Sequence, residues 1–102
     1  MATKTGRELE EQSLFFKLCS DHVSLEAIPR KATKVDLLRI RDRGISGHEL
    51  MLWTPHFVVL RNGEGHEITL RQDGRMIIRK ARSEQVAKRA ADAVMAVVHS
   101  PP

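Results

Sequence analysis

The stretch from Glu67 to Lys80, where two apolar alternations flank Asp73-Gly74, restricts the fold of this sequence more than any other. Successive side chains of a strand point to opposite faces, so the residues that must be buried decide how two strands pair. A two-residue Asp73-Gly74 turn pairs Leu70 with Ile77 and mixes polar and apolar groups on each face. A three-residue loop, Gln72-Asp73-Gly74, pairs Arg71 with Arg75 and Leu70 with Met76. It gathers Ile68, Leu70, Met76 and Ile78 on one face. Such a loop needs a left-handed residue at its end, which glycine supplies without steric cost. The apolar face selects the second register, an antiparallel hairpin buried on one side.

Three other segments are bounded by turn residues. Val35–Arg41, Glu49–Trp53 and His56–Arg61 read as further strands, punctuated by Gly44, Gly47, Pro55, Gly63 and Gly65. Pro55 lacks an N–H and marks a bend, a bulge or an edge. Before them, Leu9, Leu14, Phe15, Phe16, Leu18, Cys19, His22 and Val23 recur at three- and four-residue spacing, which predicts a helix over about 7–22. After them, Ser83 is a helix N-cap, with Glu84 complementing the dipole. Val86, Ala90, Val94 and Val97 then form a stripe that small neighbours let lie close against a sheet. The expected fold is α+β: an N-terminal helix, a four- to five-stranded antiparallel sheet and a C-terminal helix packed on one face. Residues 1–7 are expected to be a disordered start and 8–99 a single domain.

With 102 residues, 41% of them apolar, the chain can build one core. No apolar run reaches the roughly 18 residues of a membrane span. No apolar stretch precedes Glu8, so the expectation is a cytoplasmic protein with no membrane partner. A single cysteine, Cys19, excludes an internal disulfide and reads as a small buried hydrophobe.

Charge is unevenly placed. Residues 1–33 and 83–102 are each balanced, and the whole excess of +4 falls in residues 34–82, which hold ten basic and six acidic residues. In the chosen register, Arg71, Arg75 and Arg79 lie on the hairpin face away from the core. Arg39 and Arg41 share one side of the first expected strand, and Arg61 ends the third. Simple alternation therefore gathers Arg39, Arg41, Arg61, Arg71, Arg75 and Arg79 on an uncovered sheet face. Guanidinium forks two hydrogen bonds to one phosphate, so such a face suits DNA or RNA. The competing reading is an ordinary charged solvent face, with Glu49 and Glu67 pairing the arginines. Phe15, Phe16, Trp53 and Phe57 are the only aromatics, too few for a base-stacking platform. A protein-interaction or homodimerisation module, built on Trp53, Phe57 and a strand edge, is the rival function.

The run Gly74-Arg75-Met76-Ile77, then Ala81-Arg82-Ser83-Glu84, then Ala90-Ala91 resembles one repeat of the TATA-box-binding-protein family. The likeness continues without a gap back to Thr54-Pro55-His56-Phe57-Val58, and covers about residues 54–98. It implies a curved, helix-backed antiparallel sheet that meets the DNA minor groove. At that family's phenylalanine wedge positions this chain has Thr54 and Arg71, and it holds one repeat, so a full saddle requires a homodimer. The run Ser83 to Ala91 also resembles the second helix of a double-stranded-RNA-binding domain. Glu84 and Gln85 stand where that family has a lysine pair.

No motif for catalysis stands out. Gly63-Glu64-Gly65 is a turn whose carboxylate opposes phosphate, and His22, His48, His56, His66 and His99 form no close ligand pair. Ser20, Asp21 and His22 are sequence neighbours that point apart on a helix and make no triad. The expectation is a non-catalytic protein without metal or cofactor.

Overall fold

The computed structural model describes residues 14–18 and 24–98. They form six strands: β1 (Leu14–Leu18), β2 (Leu25–Pro29), β3 (His48–Trp53), β4 (Phe57–Asn62), β5 (Glu67–Arg71) and β6 (Met76–Arg79). Two helices accompany them, α1 (Leu37–Arg43) between β2 and β3, and α2 (Glu84–Val98) after β6. The strands make one antiparallel sheet in the order β1-β2-β6-β5-β4-β3. β3 to β6 is a meander. The chain reaches it by crossing from β2, through α1, to the far edge.

The β5–β6 hairpin has the register that its apolar face demands. Leu70 lies opposite Met76 and Ile68 opposite Ile78, and the Arg71 N–H donates to the Arg75 carbonyl at 2.8 Å. Gly74 closes the loop at φ 89°. A Cβ there would lie 2.8 Å from Pro29 Cγ and 2.9 Å from Thr33 Cγ2, so the chain after β2 packs directly on this turn. Two further backbone bonds hold the corner: Val35 N–H to Gln72 O (2.8 Å) and Gln72 N–H to His56 O (2.9 Å).

The core lies between the sheet and the two helices. Val58, Leu60, Ile68, Leu70, Met76 and Ile78 supply its sheet side, extended by Leu25, Ala27 and Leu14. From α2 come Ala87, Ala90, Ala91, Val94 and Met95. The buried stripe centres on Ala87, Ala91 and Val94, while Val86 and Val97 are only half-buried at its margins. Ser83 caps α2 as expected, its Oγ accepting from the Val86 N–H at 3.2 Å.

Pro55 occupies the tight β3–β4 turn, where the Thr54 hydroxyl oxygen accepts from the His56 and Phe57 N–H groups at 3.1 and 2.9 Å. Within β3 the register slips between Leu50 and Leu52, a bulge at Met51.

Three expectations require correction. The segment Val35–Arg41 is not a strand: residues from Leu37 onward form α1. Asp36 caps this helix by accepting from the Arg39 N–H at 3.2 Å, Leu37 and Ile40 are its buried residues, and Gly44 ends it at φ 70°. Local capping and a helical i, i+3 pair outweigh the apparent alternation at 35, 37 and 39. The helix expected over 7–22 is contradicted at Leu14–Leu18, which pairs with β2 along its whole length. There Leu14 is buried and Phe16 half-buried on the core side. A short apolar run fits either period, and here the neighbouring strand decides. The remainder of 7–22, including Cys19, and the expected disordered start at 1–7 lie outside the described residues. The sheet, finally, has six strands rather than four or five, because Leu25–Pro29 adds one between β1 and β6.

Candidate functional site

Both helices lie on one side of the sheet. Leu37 and Ile40 of α1 enter the same core as α2, and α1 borders Val97 and Val98. Among the described residues nothing is packed on the opposite face. Strand pairing arranges that face in three rows.

One outer row alternates in charge across four strands, Glu49–Arg61–Glu67–Arg79. The middle row is Leu52–Val59–Thr69–Ile77–Glu26–Lys17, mainly apolar over β3 to β6 and charged over β2 and β1. The third row holds Phe57 opposite Arg71, Arg71 beside Arg75, and Ile28 opposite Phe15. Leu52 is on this face only because of the bulge at Met51. Unbroken alternation would have put it with Leu50 on the core side.

Four of the six arginines singled out by sequence, Arg61, Arg71, Arg75 and Arg79, therefore share the uncovered face. Arg39 and Arg41 do not, because they belong to α1 on the core side of the sheet. Arg41 instead stacks over the Trp53 ring, 5.0 Å from its centroid, and its Nε lies 3.1 Å from Asp42 Oδ1. Trp53 in turn donates its indole N–H to the Leu37 carbonyl at 2.9 Å. This pair ties α1 to the β3 edge.

The face carries its own counter-charges. Arg61 pairs with Glu49 at 2.8 Å and Arg71 with Asp73 at 3.0 Å. Arg75 lies 3.9 Å from both Asp73 and Glu26. Glu67, although opposite Arg79, pairs with Lys80 at 3.2 Å. Lys80 reaches it from a left-handed backbone conformation, φ 68°. Arg79 is thus the member of these four arginines with no carboxylate in ion-pair range among the described residues. Lys17, Arg30 over the Phe15 ring, Lys80 and the four arginines stand against Glu26, Glu49, Glu67 and Asp73, a net excess of three (seven minus four).

No group of three His, Cys, Asp or Glu side chains among the described residues could hold a metal ion. No helix among them is long and apolar enough to cross a membrane. His66 is buried, its backbone N–H and ring tied to the side chain of Asn62 at 3.0 and 3.1 Å, which makes it part of the β4–β5 turn. Comparison of the chain with family models, with curated proteins and with solved structures gave no match. The class defined by the structure is a helix-backed, six-stranded antiparallel sheet with one amphipathic open face.

Proposed function

We propose that the open face of the sheet is a non-catalytic nucleic-acid-binding surface, addressed by Arg61, Arg71, Arg75 and Arg79. The observation that carries the reading is the sharing of one uncovered face by these four arginines around an apolar band. Arg75 and Arg79 are four residues apart, about 13 Å along the strand. One arginine row can therefore approach each backbone of a duplex while Leu52, Val59 and Ile77 face the sugar edges of a groove between them. The ion pairs on this face are a small obstacle. Exposed pairs such as Arg61–Glu49 contribute only about 0–1 kcal/mol, less than a charge-assisted bond to phosphate returns. The TATA-box-binding-protein resemblance over 54–98 suggests the same class of partner. With Thr54 and Arg71 at the wedge positions, the contact is one of phosphate and groove without intercalation.

The test is a salt-titrated binding measurement on duplex DNA, duplex RNA and single strands. Four phosphate contacts limit the slope of log K against log salt to about −3.6 on duplex DNA. Absence of salt-dependent binding to all three at low ionic strength rejects the proposal. The rival, homodimerisation through Trp53, Phe57 and a strand edge, loses its aromatic pair, because Trp53 is engaged by Leu37 and Arg41 on the helix side while Phe57 lies on the open face. A separate observation at the β1 edge favours homodimerisation instead.

A further inference from the structure

The two edges of the sheet are unlike. β3 is broken by the slip between Leu50 and Leu52, a common device by which an edge avoids pairing with other chains. Among the described residues β1 has no such break. It runs in unbroken register against β2 from Leu14↔Pro29 to Leu18↔Leu25, and no described strand pairs with its outer side. It contains no proline, and its one charge, Lys17, points to the open face rather than into the core. Phe15 is 46% and Leu18 52% exposed, a large apolar surface for a five-residue strand.

We propose that β1 pairs antiparallel with β1 of a second copy of this chain, about a two-fold axis at Phe16, so that two six-stranded sheets join into one of twelve strands. The sequence of β1 favours this occupant and this register. Directly opposed residues lie on the same face, so an axis through a residue keeps both open faces on one side of the joined sheet. An axis at Lys17 would oppose two lysines, which is destabilising. An axis at Phe16 uses all five residues. Phe15, whose ring already carries the Arg30 guanidinium of its own chain 5.4 Å from the centroid, then faces the partner subunit's Lys17, twice per interface, which sets a second cation beside the ring. On the helix side the exposed Leu18 lies opposite the partner subunit's Leu14, which is already buried in its own core and adds little new contact. The inference does not rest on the nucleic-acid reading, and its test contains no nucleic acid.

Sedimentation equilibrium of the full chain over a concentration series is expected to show a monomer–dimer equilibrium. Phe15→Lys sets two lysines opposite each other at both positions and weakens association by roughly tenfold or more. Phe15→Glu sets a carboxylate opposite Lys17 instead and leaves association within about twofold of the parent, or tighter. Circular dichroism and thermal unfolding establish that both variants fold. The opposite signs of the two substitutions separate this register from simple loss of an apolar side chain. A parent chain that stays monomeric throughout, open-ended oligomers, or equal weakening by both variants overturns the proposal.

Discussion

The indole N–H of Trp53 donates to the carbonyl of Leu37 at 2.9 Å, joining the last residue of β3 to the first residue of α1. Arg41, one turn along the helix, covers the same ring. A seven-residue helix is too short to persist by its own backbone bonds, so this attachment and the Asp36 cap hold it in place. Trp53→Phe, which keeps a smaller aromatic ring but removes the donor, is expected to destabilise the domain by about 1–2 kcal/mol in urea unfolding. Backbone amides of α1 should lose hydrogen-exchange protection before those of β5.

Gly74→Ala meets two obstacles at once. Its φ of 89° disfavours any side chain, and the new methyl would overlap Pro29 and Thr33. Combined, these predict a loss of about 2–4 kcal/mol, measurable as a lowered denaturation midpoint with unchanged slope.

Sheet parity is tested by two isoleucines on neighbouring strands. Ile68 is fully buried, and Ile68→Ala should cost about 2–5 kcal/mol. Ile77, half-buried on the other face, should cost less than about 1.5 kcal/mol as Ile77→Ala. Equal losses in chemical denaturation would contradict the arrangement of faces.

For the proposed interface, Arg79→Ala should weaken nucleic-acid binding by about 1–2 kcal/mol and reduce the salt slope by about one unit, because no ion pair among the described residues has to open before Arg79 meets phosphate. Arg61→Ala is expected to have a smaller effect, since it also frees Glu49 on the same face. Arg41→Ala, on the helix side, should leave affinity unchanged while lowering stability slightly. Fluorescence anisotropy with a labelled duplex checks all three.

What could be read directly from the residues, and what could not, divides along a physical line. The hairpin at Gln72-Asp73-Gly74 was legible because only one register buries Ile68, Leu70, Met76 and Ile78 together. The α2 cap was legible because Ser83 precedes an unbroken run of helix formers. Val35–Arg43 was harder: its apolar positions fit a strand, and the contrary signals are Asp36 as cap, Arg41 and Arg43 near the C-terminus, and Gly44 as stop. Arg39 and Arg41 were consequently assigned to the wrong surface. Leu14–Leu18 and Leu25–Pro29 were obscured for another reason. Each is five residues long: Leu14–Leu18 acquires its strand identity from pairing with Leu25–Pro29, and Leu25–Pro29 from pairing also with the distant β6, which no local window contains. Leu52 was hidden by the bulge at Met51, since one extra residue reverses the parity of everything beyond it.

The placement of β2 beside β6 has a consequence for how the molecule assembles. Leu25 and Ile78 are direct neighbours although 53 positions separate them along the chain (78 minus 25), whereas every pairing from β3 to β6 joins consecutive strands. Closing so long a loop carries a larger entropic cost than closing the meander turns. The β3–β6 unit is therefore expected to form first and the amino-terminal hairpin to dock onto it later. Until it does, β6 is itself an unsatisfied margin, with Met76 and Ile78 beside an empty lane.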